Sequence, residues 1–280
     1  MPVTAGAAPT RSGPQPVLAL LAAAHGGPAL AVGVIAGLLA LRSDLRPLDA
    51  AVLTGAVLTG QLTIGWGNDL RDLSRDRAVG RTDKPLVTGA LSVAWAVRAL
   101  VAAGLACLVL SALVGWRSAL VNVILGVGAG HVYNLGLKAT WWSWVPYASA
   151  FGTLPSVVTL AGPAPAWAPL WMTGAGAALG VGAHLLNTLP DLADDERTGV
   201  CGLPHRIGER PSRVLAVVLL SAASLLAVLA PAGPPPAWEW AALVLVVVLA
   251  VLTLVARGCV PFRAALAIAL LDVVLLVAAG

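Results

Sequence analysis

The segment Asn68-Asp69-Leu70-Arg71-Asp72-Leu73-Ser74-Arg75-Asp76 places three carboxylates and an amide within nine residues of a chain that is 59% hydrophobic and 11% charged. Asp69, Asp72 and Asp76 are spaced i, i+3 and i+7, so a helix would direct all three to one face. Three anions on one face repel each other unless a cation lies among them. Because Mg²⁺ takes oxygen ligands and is often shared with substrate phosphates, the segment predicts a magnesium site.

A second acidic segment also follows a long apolar run. It reads Asn187-Thr188-Leu189-Pro190-Asp191-Leu192-Ala193-Asp194-Asp195-Glu196, with Asp191 and Asp195 spaced i and i+4. An Asn precedes the acids in both segments, which indicates two copies of one metal-binding motif. The two copies would hold Mg²⁺ from two sides around a diphosphate. The predicted metal ligands are Asn68, Asp69, Asp72, Asp76, Asn187, Asp191 and Asp195.

The apolar runs predict an all-α integral membrane bundle. Mean hydropathy is +0.89, and a helix needs about 20 apolar residues to cross the bilayer core. We predict nine transmembrane helices, at roughly 16–40, 48–67, 92–114, 118–137, 142–161, 166–189, 212–231, 238–256 and 262–279. Residues 16–280 would form one membrane domain, and residues 1–15, rich in Pro, Gly, Ala and Thr, would form a disordered tail.

The basic residues predict the orientation of this bundle. With the N-terminus in the cytoplasm, most Arg and both Lys residues fall in cytoplasmic loops, whereas the opposite side keeps Arg42, Arg46 and Arg117. This asymmetry follows the positive-inside rule and places both acidic segments on the cytoplasmic side. The net charge of +4 therefore indicates anionic membrane lipid as a neighbour rather than nucleic acid. An excess of Arg over Lys and many Ala residues indicate a high-GC bacterial source. In a bacterium the expected location of such a protein is the plasma membrane.

These motifs resemble those of a known family. Asn68-Asp69-x-x-Asp72-x-x-x-Asp76 resembles the NDxxDxxxD signature of the UbiA superfamily of intramembrane prenyltransferases, and Asp191-x-x-x-Asp195 resembles its second motif, DxxxD. Tyr133-Asn-Leu-Gly-Leu-Lys138 is similar to the family's Tyr/Lys element, although many members have three rather than four residues between the two. The resemblance extends over nearly the whole chain from about residue 16.

The resemblance implies both a fold and a chemistry. Helices would surround a central cavity that opens laterally to lipid, with the acidic motifs at its cytoplasmic mouth. An allylic prenyl diphosphate would bind with its head at Mg²⁺ and its tail among the helices, and an unknown acceptor, aromatic or lipid-like, would trap the allylic cation. The acids expected to be catalytic are Asp69, Asp72, Asp191 and Asp195.

Two further sets of residues follow from this scheme. Diphosphate carries about three negative charges that two metal ions do not saturate, so we expect contacts from nearby donors: Lys138, Tyr133, Arg71, Lys84 and Arg206. Polar or aromatic side chains inside the spans could line the cavity or hydrogen-bond between helices: Trp66, His25, Asn122, His184 and Asp272.

Two other functions remain open at this stage. A UbiA-type terpene cyclase would use the same diphosphate ionisation, but an internal alkene would trap the cation. A transporter or a non-catalytic membrane protein is the alternative from another class; transporters place charged groups near mid-membrane, whereas these acids gather at helix ends. The sequence identifies neither the acceptor nor the prenyl chain length.

Overall fold

Helices form every regular element of the residues that this computed structural model describes, 16–24, 26–162, 164–257 and 260–279. The segment predicted to be a tail, residues 1–15, lies outside them, as does His25. The α-helices are α1 (Pro16–Ala23), α2 (Gly26–Arg42), α3 (Pro47–Ala78), α4 (Pro85–Thr88), α5 (Val93–Leu113), α6 (Trp116–Leu120), α7 (Ala129–Leu135), α8 (Val145–Thr159), α9 (Leu170–Thr188), α10 (Leu192–Arg197), α11 (Leu203–Ile207), α12 (Glu209–Leu229), α13 (Ala237–Val255) and α14 (Val260–Ala279). A π-helical segment, Val121–Gly128, joins α6 to α7, and 3₁₀ segments follow α7 (Leu137–Ala139) and α9 (Leu189–Asp191).

Length and composition mark six helical stretches of the described residues as candidate membrane spans: α3, α5, α6 through α7, α12, α13 and α14. The pair α1 and α2, bent by 79°, is a seventh candidate if it counts as one span. At the predicted fifth and sixth spans lie α8, with 15 residues, and α9, which includes His184 and Asn187. The predicted all-helical, multi-span membrane architecture is therefore confirmed, whereas the number nine stays a prediction.

Helix α3 carries the first acidic segment beyond the apolar region. Its 32 residues span about 48 Å at 1.5 Å per residue, against a hydrocarbon core of about 30 Å. Asp69, Asp72 and Asp76 are all buried on one face of its last turns, while Arg71 and Arg77 are exposed. The helical spacing thus directs the three acids inward, as expected.

Apolar side chains fill the core of the bundle and also cover much of its outer surface. Leu53 of α3, Leu185 of α9, Leu220 of α12 and Ile268 of α14 are completely buried and belong to one cluster. Many other leucines and valines face outward, as on α5 and α13. So many exposed apolar side chains are expected on helices that contact lipid.

Candidate active site

Both acidic segments line one cavity of about 270 Å³. Its walls come from the C-terminal turns of α3, the loop before α4, the end of α7 and the stretch from Asp191 to Val200. Four carboxylates and five basic side chains line it, together with Asn68, Tyr133 and three smaller residues. The charged residues are Asp72, Asp76, Asp191, Asp195, Arg75, Arg81, Lys84, Lys138 and Arg197.

Lys84 reaches this cavity because the chain folds back after α3. Arg81 N–H donates to Asp76 O at 3.0 Å, which turns the loop toward the helix. Lys84 then lies beside residues fifteen positions upstream, and its Nζ is 2.6 Å from Asp69 Oδ1. The side chains of Lys84 and Asp69 are 12% and 2% exposed, so the pair is shielded from water and its attraction is strong.

Lys138 binds the next carboxylate on α3. Gly136, with φ of 144°, ends α7 in a conformation that glycine adopts readily, and the 3₁₀ segment after it presents Lys138. Its Nζ lies 2.8 and 2.6 Å from the two oxygens of Asp72 and 3.4 Å from Asn68 Oδ1. Burial lowers the pKa of the Lys138 ammonium, and the hydrogen bond with Asp72 opposes that shift. Arg75 Nη2 also lies 2.8 Å from Asp72.

The second acidic segment faces these residues across the cavity. Pro190 lies in the 3₁₀ segment that follows α9, so Asp191 and Asp195 belong to two short elements rather than to one helix. Asp191 is exposed, whereas burial raises the pKa of the Asp195 carboxyl, with the electrostatic attraction of His205 acting in the opposite direction. His205 Nε2 is 3.5 Å from Asp195 Oδ2.

The donor set is suited to a hard divalent cation. Among the described residues, no group of three or more His, Cys, Asp or Glu side chains is close enough together to hold a metal ion; Asp69 and Asp72 each bind a lysine instead. Magnesium is usually held by one or two carboxylates, with water and substrate phosphates completing its shell. The carboxylates on the two walls meet that requirement, provided that the lysines release them when a diphosphate enters.

Four of the predicted head-group residues lie outside the cavity lining. Asp69 is 2% exposed and lies behind the lining residue Lys84, with which it pairs. Arg71 is exposed because it is one residue before Asp72 and therefore on another face of α3. Arg206 is also exposed: its Nε donates to Cys201 O at 2.9 Å, and its guanidinium lies 5.5 Å from the ring centre of Trp141. Asn187 is exposed on the last turn of α9.

Three of the residues expected inside the spans hydrogen-bond between helices and are not part of this lining. Trp66 Nε1–H donates to Leu20 O at 2.8 Å and so connects α3 to α1. Asn122 Nδ2–H donates to Ser111 Oγ at 3.0 Å. Asp272, buried between α14 and α12, accepts a hydrogen bond from Ser224 Oγ. Unpartnered polar groups are costly in an apolar interior, which accounts for each of these pairings.

Several residues of the site had no role in the sequence-based prediction. Arg75 contacts Asp72 because the two are three residues apart on α3, a signal that was available. Arg81, Arg197 and Thr198 line the cavity from loops and short helices, where no periodicity identifies them.

An aromatic group extends behind Tyr133. The Tyr133 and Tyr147 ring centres are 5.3 Å apart, and Tyr147 stacks on His184 at 4.6 Å. His184 Nε2 and Ser143 Oγ are 3.1 Å apart. Tyr133 thus connects the cavity lining to ring contacts with Tyr147 of α8 and, through it, with His184 of α9.

Solved structures of similar fold were found for nearly the whole chain. An apo UbiA homologue from Aeropyrum pernix K1 has a TM-score of 0.68 at 17% identity, covering 92% of this chain and 96% of that one. A UbiA homologue from Archaeoglobus fulgidus bound to GPP and Mg²⁺ has a TM-score of 0.63 at 16% identity, with 93% and 99% covered. A digeranylgeranylglyceryl phosphate synthase has a TM-score of 0.65 at 15% identity, with 94% and 98% covered.

Sequence comparison gives a family assignment that agrees with this fold. No curated protein matches the chain. The UbiA prenyltransferase family matches residues 29–265, a range that includes both acidic segments, Tyr133 and Lys138. The chain therefore belongs to the UbiA prenyltransferase family.

Proposed function

We propose that this protein transfers a prenyl group from an allylic prenyl diphosphate to an acceptor, aromatic or lipid-like, in a Mg²⁺-dependent reaction within the membrane that releases pyrophosphate. One observation carries the proposal: two acidic segments, far apart in sequence, face each other across one cavity that five basic side chains also line. Acids alone would suit a cation and bases alone a free anion, whereas both together suit a metal diphosphate. The A. fulgidus homologue bound to GPP and Mg²⁺ supports this interpretation.

The reaction requires that negative charge be stabilised on the leaving group. The bond between prenyl C1 and the diphosphate oxygen breaks, and its electron pair leaves with pyrophosphate. An electron pair of the acceptor then forms the new bond to C1, and the acceptor loses a proton to solvent. Bound Mg²⁺ would act as a Lewis acid on the diphosphate oxygens, held by the predicted ligands Asp69, Asp72 and Asp76 on α3 and Asp191 and Asp195 opposite.

The chain's own cations have a separate task in this scheme. Lys84 and Lys138 bind Asp69 and Asp72, the carboxylates that the metal requires. When a metal diphosphate binds, each ammonium can exchange its carboxylate for a diphosphate oxygen over a short distance. Fixed cations next to a departing anion stabilise the charge that develops there without solvent reorganisation.

The same proposal includes an orientation in the membrane. Residues 16–280 form the membrane domain with nine spans, the acidic segments lie at the cytoplasmic mouth, and the N-terminus is cytoplasmic. The positive-inside bias supports this arrangement, and composition supports a bacterial plasma membrane.

The test is release of pyrophosphate by purified protein in lipid nanodiscs. Dimethylallyl, geranyl, farnesyl and geranylgeranyl diphosphates are supplied in turn, with bacterial lipid extract as the acceptor source, in Mg²⁺ or in EDTA. We expect Mg²⁺-dependent release with at least one donor, its loss in Asp72→Asn, and retention in Asp49→Asn. Asp49 is the matched control because it lies at the opposite end of α3, bound to Arg46.

The outcomes separate the candidate functions. A product mass equal to donor plus acceptor, less diphosphate, establishes transfer, and a hydrocarbon formed from the donor alone establishes a cyclase. Mg²⁺-independent release, or no release with any donor, contradicts the proposal.

A further inference from the structure

We infer that His205 is a positioning residue that fixes the carboxylate of Asp195 toward the cavity. His205 lies in α11, outside both acidic segments, and its side chain is 3% exposed. Its Nε2 is 3.5 Å from Asp195 Oδ2. The inference rests on the proposed function, in which Asp195 serves a bound metal.

Hydrogen bonding determines which ring nitrogen of His205 carries the proton. Gly202 N–H donates to His205 Nδ1 at 3.2 Å, so Nδ1 is an acceptor and carries no proton. In the neutral ring the proton is then on Nε2, the nitrogen that faces Asp195. The backbone of Gly202 thus leaves an N–H on the side of the ring that faces this carboxylate. At 3.5 Å the contact is longer than a hydrogen bond, and Nε2 is a buried atom with no hydrogen-bond partner among the described residues, so Asp195 is the acceptor within its reach; histidines and carboxylates orient one another in this way beside metals.

The position of the ring is fixed from the Lys138 side of the cavity. Leu203 N–H donates to Ser143 Oγ at 2.9 Å, and Ser143 is completely buried. A Cβ on Gly202 would lie 2.6 Å from Lys138 O, so only glycine allows the two backbones to approach this closely. α11 is therefore packed directly on the segment that presents Lys138.

The backbone of Asp195 is restrained independently of its side chain. Asp195 O accepts hydrogen bonds from Thr198 N–H at 3.1 Å, Thr198 Oγ1 at 3.0 Å and Val200 N–H at 2.9 Å. With the backbone fixed, the side-chain torsions decide where the carboxylate points. A donor facing Oδ2 selects one orientation and leaves the other oxygen for a ligand in the cavity that Asp195 lines.

A simpler role for His205 must be distinguished from this one. The hydrogen bond from Gly202 also caps the N-terminus of α11, and a cap alone would explain a buried histidine. Two substitutions separate the roles. His205→Asn can keep an acceptor near Nδ1 but has no donor that reaches Asp195, whereas His205→Gln keeps a donor at the position of Nε2 and loses the acceptor for Gly202.

The experiment measures binding of inorganic pyrophosphate by calorimetry across a Mg²⁺ titration, using the full chain in detergent. We expect His205→Asn to raise the Mg²⁺ concentration for half-maximal binding by about 10-fold or more, the usual loss when a partner of a metal ligand is removed. His205→Gln should stay within about threefold of wild type by the same principle, although its melting temperature falls. In an Asp195→Asn background, His205→Asn should add no further change.

Each result decides the inference. The opposite order, with His205→Gln impaired and His205→Asn normal, shows that His205 is only a helix cap and overturns it. Equal effects of His205→Asn with and without the Asp195 carboxylate also overturn it, because His205 would then act by another route. If wild type itself shows no Mg²⁺-dependent pyrophosphate binding, the proposed function fails instead.

Discussion

Replacing Lys138 by Gln should change metal binding and diphosphate binding in opposite directions. In the structure the Lys138 ammonium contacts both oxygens of Asp72, at 2.6 and 2.8 Å. Mg²⁺ therefore competes with Lys138 for Asp72 when no diphosphate is present. Once a diphosphate enters, the same ammonium is available to bind it. Lys138→Gln removes both the competition and the contact.

The ion pair sets the magnitude. At 2.6 Å and an effective dielectric constant of about 20, the Coulomb attraction is about 6 kcal/mol before desolvation. The two side chains are only 11% and 9% exposed, and a hydrogen bond to a charged group has a net value of about 2 kcal/mol. We therefore expect Lys138→Gln to tighten binding of Mg²⁺ alone by about 30-fold and to weaken binding of Mg²⁺-pyrophosphate by a similar factor.

The assay is calorimetric titration with Mg²⁺ alone and then with pyrophosphate at saturating Mg²⁺. Arg81→Gln is the matched control, because Arg81 lines the same cavity and loses the same unit of charge. Its guanidinium instead holds Asp83 through two hydrogen bonds of 2.8 Å, which lower the pKa of that carboxyl to about 2. We expect less than about a threefold change in either titration for this control, since the charge is more exposed and screened.

Three results would refute this reasoning. If both affinities fall, Lys138 stabilises the site's structure rather than competing for Asp72. If neither changes in protein of verified topology, Lys138 serves only the positive-inside rule. If Arg81→Gln matches Lys138→Gln, net charge rather than contact controls metal binding.

Three further predictions address the opposite wall, the topology and the buried acid of α14. Asp191→Asn should lower Mg²⁺-dependent pyrophosphate release by at least about 100-fold with the fold intact; near-normal turnover would remove Asp191 from the metal site. Single cysteines at Thr82 and Ala232 in a cysteine-free background should react with an impermeant maleimide from opposite sides of the membrane, and labelling of both from one side contradicts the proposed orientation. Asp272→Ala should destabilise the bundle by about 1 kcal/mol, because the hydrogen bond from Ser224 is lost. Asp272→Asn should keep both the stability and the rate of pyrophosphate release near those of wild type, and a large loss of activity in this variant would place Asp272 in the chemistry.

Helical periodicity explains the part of the site that sequence alone could predict. The spacing of Asp69, Asp72 and Asp76 requires a common face on any α-helix, and α3 supplies one. The repeat of an Asn followed by acids at the ends of two apolar runs indicated that both segments serve one cavity, and the structure brings them to one. Both inferences depend only on local geometry and hydropathy.

Contacts made by loops could not be predicted in the same way. Lys84 reaches Asp69 because the chain reverses between α3 and α4, and Ser224 meets Asp272 across 48 positions. Arg206 was expected at the diphosphate on charge alone, but the short helix α11 directs it outward over Trp141. Neither the chain reversal between α3 and α4 nor the direction of the Arg206 side chain produces a periodic pattern in the sequence. The partner of each charge therefore depends on tertiary packing.

The balance of charge in the cavity explains why metal and diphosphate should bind together. Four carboxylates and five basic side chains already line it, and the ion pairs of Asp69 and Asp72 neutralise much of that charge internally. Metal alone would have to displace lysines into a low-dielectric space, and diphosphate alone would have to displace carboxylates; either exchange leaves a charge unpaired, which is costly when buried. When both enter, each displaced group finds a new partner of opposite sign, so the two binding events favour one another, as the reciprocity of linked equilibria requires. Lys138→Gln tests this coupling directly, because it removes a displaced cation while every predicted metal ligand remains.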